Sequence, residues 1–296
     1  CIVVQTIAGK MKILETFRDA VQGLEKIIPT DTKVEVIRSL LEVKFDYLDI
    51  GSFVSPAIIP QFADMDRVLE ALGTPSGPTK VFVLVANPGG AKRACSYNSI
   101  DVIGFPFSTS PTFLKKNINA DVDAAWAAME KVQEECVQNK KSLMVYLAMA
   151  FGNPYKDPVN VDICMEWSAK LLQLGVRNIH LSDIIGVAEP GQIADYYNDL
   201  VREFPEVEFG IHLHTDGSGW HSKIKAAYDS GCTVFDGVIS GLGGCPMTGY
   251  EMLGNLPTHH LIDFAGKSKI DLQVDQEYFL NAREHSVTKI FPFSTY

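Results

Sequence analysis

SLMVYLAMAF, residues 142–151, is a nearly unbroken apolar run without the alternation of a half-exposed strand. A run of this length and composition fits a strand covered on both faces, as in a parallel sheet. VDICMEWSAKLLQLG (161–175) follows it. Its apolar residues recur at helical spacing, and Gly175 stands where a helix C-terminus favours a residue without a Cβ. NIHLSDII (178–185) then starts the next apolar run. Working outward, KILETF (12–17), YLDIGSF (47–53), KVFVLVA (80–86) and IDVIGFPFS (100–108) precede this unit, and EFGIHLHT (208–215) and TVFDGVIS (233–240) follow it. Amphipathic runs lie between them. TDTKVEVIRSLLEVKF (30–45) has Thr30 and Asp31 as cap candidates, and ADVDAAWAAMEKVQEECVQNK (120–140), IADYYNDLVREF (193–204) and HSKIKAAYDSG (221–231) repeat the pattern. Eight strand–helix units predict a (β/α)8 TIM barrel. A doubly wound open sheet fits less well, because no G-x-G-x-x-G follows the first strand. The reading is one TIM-barrel domain over residues 1–296, with an irregular or helical C-terminal extension over 262–296.

The chain has 296 residues, 46% of them hydrophobic, enough to bury a large core. Its formal net charge of −10 argues against a nucleic-acid or membrane-surface partner. No apolar run reaches the ~18–20 residues that a membrane helix needs. CIVVQTIAGK at the start is too short for a signal-peptide core and reads as an edge strand. The six cysteines form no C-x-x-C pair, so reduced thiols and a cytoplasmic location are expected. Cys136 and Cys164 fall on helical runs and read as packing residues.

In such a barrel, chemistry collects at the C-terminal ends of the strands. Arg18, Asp19 and Gln22 follow the first strand. Asp49 and Ser52 belong to the second, His180 and Asp183 to the sixth, and His212 and His214 to the seventh. Residues two apart on a strand face the same way, so both imidazoles of His212-Leu213-His214 point into the barrel mouth. With oxygens from Asp19 and Asn255 they make a donor set for Mg²⁺ or Mn²⁺, harder than a structural zinc site. GLGGCP (241–246) sets a thiol, Cys245, in a glycine-rich loop after the eighth strand. His180, His221, His259 and His260 are weaker candidates, and Asp101 and Asp236 receive no role. Lys115-Lys116-Asn117-Ile118-Asn119 reads either as a solvated loop or as a phosphate contact for a large anionic cofactor.

Together these residues resemble the 3-hydroxy-3-methylglutaryl-CoA lyase family, of the metal-dependent lyase and Claisen-condensing superfamily, over about residues 12–261. FRDAVQ (17–22), GSFVSPAIIPQFAD (51–64), KKNIN (115–119), SDIIGVAEPG (182–191), HLH (212–214), GLGGCP (241–246) and GNL (254–256) carry the likeness. The resemblance implies a metal held by Asp19, His212, His214 and Asn255. It makes Arg18 the stabiliser of the enolate-like oxygen, places Asp49 beside the metal and arginine, gives Asp183 a part in proton transfer, and makes Cys245 the acid on a loop that closes over substrate. Gln22, Ser52, His180, Ile184 and Asn119 would surround the substrate, an acyl-CoA cleaved to acetyl-CoA and a keto acid by a protein expected to be a homodimer. A condensing enzyme or aldolase of the same superfamily, or a metal-binding barrel without activity, are the alternatives. The chain departs from the family pattern in reading R-D-A-V-Q for R-D-G-L-Q, and Ala20 would crowd the site if its φ were positive. It also reads His180-Leu181-Ser182-Asp183-Ile184-Ile185-Gly186 for S-L-G-D-T-I-G, which exchanges a serine and a threonine for histidine and isoleucine in the acyl pocket. Thr215-Asp216 stands in place of D-T, and the stretch from Cys245 to Asn255 is one residue longer.

Overall fold

The computed structural model describes residues 11–215, 217–239, 241, 243 and 253–294. The first half of the chain runs β1 (Lys12–Glu15), α1 (Phe17–Val21), α2 (Thr30–Glu42), β2 (Tyr47–Ser52), α3 (Met65–Leu72), β3 (Lys80–Leu84), α4 (Pro88–Cys95), β4 (Val102–Ser108), α5 (Pro111–Asn117) and α6 (Val122–Gln138). The second half runs β5 (Ser142–Ala148), α7 (Val161–Gln173), β6 (Asn178–Asp183), α8 (Pro190–Glu203), β7 (Glu208–Leu213), α9 (Trp220–Asp229), β8 (Val234–Gly237), α10 (Thr258–Ser268) and α11 (Gln276–Ile290). The strands pair in sequence order and close into a parallel barrel, with β1 against β8. The chain is a (β/α)8 barrel.

Strand parity divides the core. Leu14, Phe82, Leu84, Val102, Met144, Tyr146 and Val234 form one buried cluster inside the barrel. Their neighbours, such as Ile13, Val81, Val83, Ile103 and Val145, pack outward against the helices. Every strand is therefore buried on both faces, which is why the sequence runs are apolar throughout. Toward the C-terminal end the inward positions turn polar: Asp49, His180, His212 and Asp236 are all buried. Gly210 pairs with His180 across β6 and β7, and a Cβ there would collide with the His180 ring.

Several boundaries differ from the expected ones. KILETF stops being a strand at Glu15, and Phe17 already begins α1. The apolar run masks the change because both elements are buried. Thr30 is the first helical residue of α2, so Pro29 and not Thr30 or Asp31 caps it. The Thr30 hydroxyl instead donates to Asp64 Oδ2 at 2.6 Å. Gly175, at φ +89°, closes α7, with its N–H donating to Leu172 O and the next N–H, of Val176, donating to Leu171 O. Residue 262 falls inside α10, so the expected start of the extension cuts a helix, and α11 is the helical segment that follows. It packs on α2, with Phe279 edge-on to Phe45. The expected edge strand over residues 1–10 lies outside the described residues.

Candidate metal and substrate site

The short helix α1 starts directly after β1 and so presents Arg18 and Asp19 at the barrel mouth. Both are buried. Ala20 lies inside this helix, away from the positive-φ residues, so the exchange of glycine for alanine adds no backbone strain. Arg18 donates from Nε to Asp49 Oδ2 at 2.8 Å, and from Nη1 to Asp19 Oδ1 at 3.2 Å and Gln22 Oε1 at 3.1 Å. Gln22 Nε2 in turn donates to Asp19 Oδ1. Burial works to discharge the guanidinium, but the two carboxylates outweigh it and hold Arg18 charged. Burial also works to protonate Asp19. Arg18, His212 and His214, with a hydrogen bond from Asn255, reverse that and hold its pKa below the usual range. Asp49, fully enclosed, is pushed up to about 7 by burial against the pull of Arg18.

His212 and His214 face each other with their Nε2 atoms 3.2 Å apart, and His212 Nε2 lies 3.6 Å from Asp19 Oδ2. Each Nδ1 is engaged on its far side. His212 Nδ1 meets Asp236 Oδ2 at 3.1 Å, and His214 Nδ1 meets the Leu253 carbonyl at 3.1 Å. This arrangement turns both Nε2 lone pairs toward one point, and ligand atoms of Asp19, His212 and His214 lie within 4.8 Å of one another. Asn255 pairs with His214 in a bridge and reaches the Asp19 carboxylate. The donor set fits a divalent cation, with Asn255 as a further oxygen. His214 is driven down to about 4, first by burial and then by the neighbouring His212. Burial also opposes charge on His212, but Asp236 and Asp19 outweigh it and raise its pKa.

The other expected residues fall in different places. Asp183 is not at the cavity wall. Its carboxylate accepts N–H bonds from Val187 at 2.9 Å and Ala188 at 2.8 Å, organising the turn between β6 and α8. Ser52 Oγ donates to Leu84 O and accepts from Val54 N, again away from the wall. His180 is fully enclosed in the barrel, with Nδ1 2.9 Å from Asp236 Oδ1, beneath the site rather than in it. Asn119 is exposed at φ +52°, and its place in the lining belongs to Asn117 and Ile118. Gln22 and Ile184 do line the cavity, which measures about 260 Å³. Cys245 lies outside the described residues. Asp236 was passed over in the sequence, yet it joins His180 to His212. The clue was parity, since it stands two residues after inward-facing Val234 in an apolar strand. Tyr146 and Ser182, which also line the cavity, were likewise missed.

A family model described as HMGL-like matches residues 10–285. The chain belongs to the HMGL-like family. Over 273 residues it is 29% identical to the cytoplasmic 3-hydroxy-3-methylglutaryl-CoA lyase of Rattus norvegicus, covering 92% of this chain and 79% of that one. Over 280 residues it is 30% identical to the mitochondrial hydroxymethylglutaryl-CoA lyase of Bos taurus, covering 94% and 85%. The HMG-CoA lyase structure from Bacillus subtilis superposes with a TM-score of 0.89 at 28% identity, covering 96% and 94%. An HMG-CoA lyase from Acenitobacter baumannii in complex with coenzyme A and 3-methylmalate gives 0.88 at 26%, covering 96% and 92%. In this HMGL-like chain no helix among the described residues is long and apolar enough to cross a membrane.

Proposed function

We propose that this HMGL-like chain is a divalent-metal-dependent carbon–carbon lyase that cleaves a 3-hydroxyacyl-CoA to acetyl-CoA and a carbonyl product. The facing Nε2 atoms of His212 and His214, 3.2 Å apart beside Asp19 and Arg18, carry the reading. Asp19, His212, His214 and Asn255 would hold Mg²⁺ or Mn²⁺, which supplies Lewis acidity toward the substrate hydroxyl and carbonyl. The chain's own groups do the rest. Arg18, fixed by Asp49, stabilises the negative charge that gathers on the thioester oxygen as the C2–C3 bond breaks. Cys245 donates the proton that C2 then needs. Gln22 orients Arg18 and Asp19 together. Asn117 and Ile118 contact the acyl-CoA arm from α5. The cysteines Cys95, Cys136, Cys164 and Cys232 are free thiols, which supports a cytoplasmic, reducing location.

The test is acetyl-CoA release from a panel of 3-hydroxyacyl-CoAs with Mg²⁺ or Mn²⁺. Release that stops with chelator and returns with metal is expected. No acetyl-CoA from any thioester would overturn the reading.

A further inference from the structure

The walls of the cavity divide by chemistry. One side, built from α1 and the end of β7, carries Arg18, Asp19, His212 and His214. The other, built from the ends of β3, β4 and β5 with α5 and the turn after β6, carries Leu84, Pro106, Ala148, Phe113 and Ile184. Phe113 and Ala148 are buried, and Ile184 packs against them. A substrate whose hydroxyl and thioester oxygens meet the polar side must therefore turn its remaining substituents toward this apolar wall.

Among the described residues, that wall offers a carboxylate no cation. Arg18 is the only Lys or Arg among the described lining residues, and it stands on the opposite, polar side. There Nε donates to Asp49 and Nη1 to Asp19 and Gln22, and the remaining donor face is the one assigned to the thioester oxygen. Lys116 lies over the Tyr155 ring at 4.5 Å, and Lys223 donates to the Gly186 carbonyl; neither lines the cavity. Residues 240–252 contain no Lys, Arg or His. Two buried hydroxyls line the cavity, Tyr146 on β5 and Ser182 on β6, and they offer neutral hydrogen bonds but no charge. Burying a carboxylate against Phe113 and Ile184 without a counter-charge is strongly unfavourable.

Resting on the lyase reading above, we propose that the substrate is a 3-hydroxyacyl-CoA whose end remote from the thioester is a hydrocarbon branch, not a carboxylate. The hydroxyl proton leaves, the C3–O bond becomes a carbonyl, and the C2–C3 bonding pair passes to C2. C2 then takes up a proton. The products are acetyl-CoA and a neutral ketone, with no change in overall oxidation state.

Two isosteric thioesters decide it, 3-hydroxy-3,5-dimethylhexanoyl-CoA and 3-hydroxy-3-methylglutaryl-CoA, which differ only in isopropyl against carboxylate. Acetyl-CoA release gives kcat/KM for each. Calorimetric titration with their 3-deoxy analogues, which cannot be cleaved, gives affinity independently of turnover. The hydrocarbon member should lead by ~10-fold or more in both, and Ile184→Lys should narrow or reverse the order in binding. Equal values, or preference for the carboxylate, overturn the proposal. Tighter binding of the hydrocarbon analogue with no acetyl-CoA from either thioester leaves the pocket assignment standing and removes the lyase reading instead.

Discussion

Asp236 serves two imidazoles at once. One carboxylate oxygen meets His212 Nδ1 and the other approaches His180 Nδ1. Burial works to protonate it, but the two histidines outweigh burial and hold it at about 2. It therefore stays an acceptor, fixing His212 with its Nε2 turned to the proposed cation. Asp236→Asn keeps the size and removes the charge, and Mn²⁺ affinity should fall ~10–100-fold by titration. Unchanged affinity would show that Asp19 and His214 suffice. Cys245→Ser makes the complementary test. It should lower kcat at least ~10²-fold, within the range of a lost proton donor, and leave Mn²⁺ affinity intact. Loss of the metal in that variant would make the thiol a ligand. The two histidines were legible in the sequence because a period of two on an apolar strand leaves few other uses for a pair of imidazoles. Parity gave the inward direction of Asp236 but not its partners, because they depend on β6, β7 and β8 turning side chains inward at matching heights, which no local pattern encodes.

The loops at the barrel mouth are set by carboxylates placed at strand ends. Asp183, the last residue of β6, takes the N–H groups of Val187 and Ala188 and so fixes the turn that carries Ile184 to the cavity. The resemblance gives it a part in proton transfer; in the fold each oxygen accepts one backbone N–H, and Lys223 Nζ lies 3.7 Å from Oδ2. Asp183→Ala should leave two N–H groups unpaired and cost about 1–3 kcal/mol each when they remain dry. The midpoint of urea unfolding should fall, and KM should rise more than kcat falls. A collapse of kcat with stability intact would instead support the proton-transfer role. The extent of the strands was read too generously at β1, β3, β5, β6, β7 and β8 for one physical reason. Where a barrel strand ends, the chain stays buried as it enters the site, so hydrophobicity runs on after the hydrogen-bond ladder stops.

At the scale of the molecule, the barrel was legible because eight two-sided apolar runs, separated by amphipathic ones, have few other ways to be buried. What closes it was not. Glu15 points outward from the end of β1 and is fully buried. It accepts the N–H of Ile239 at 2.7 Å and the hydroxyl of Thr258 at 2.5 Å, which ties β1 to both ends of the stretch between β8 and α10 that contains Cys245. Nothing in KILETF distinguishes this glutamate from a solvated one. Burial raises its pKa from 4.5 to about 8, against the lowering effect of Thr258 and Ile239. Between those values the folded chain holds a proton on Glu15 that the unfolded chain has released. Stability from this group is therefore complete below about pH 4.5 and is lost as pH rises through about 8. Each pH unit in that window costs at most ~1.4 kcal/mol. Glu15→Gln keeps an acceptor oxygen and does not titrate. Thermal unfolding in chelator should give the variant and the parent similar Tm values at pH 5. At pH 9 the variant should unfold several degrees higher, on the order of 2–4 °C per kcal/mol recovered. Parallel Tm curves across this range would mean that Glu15 is ionised in the fold and that Thr258 and Ile239 compensate its burial in full.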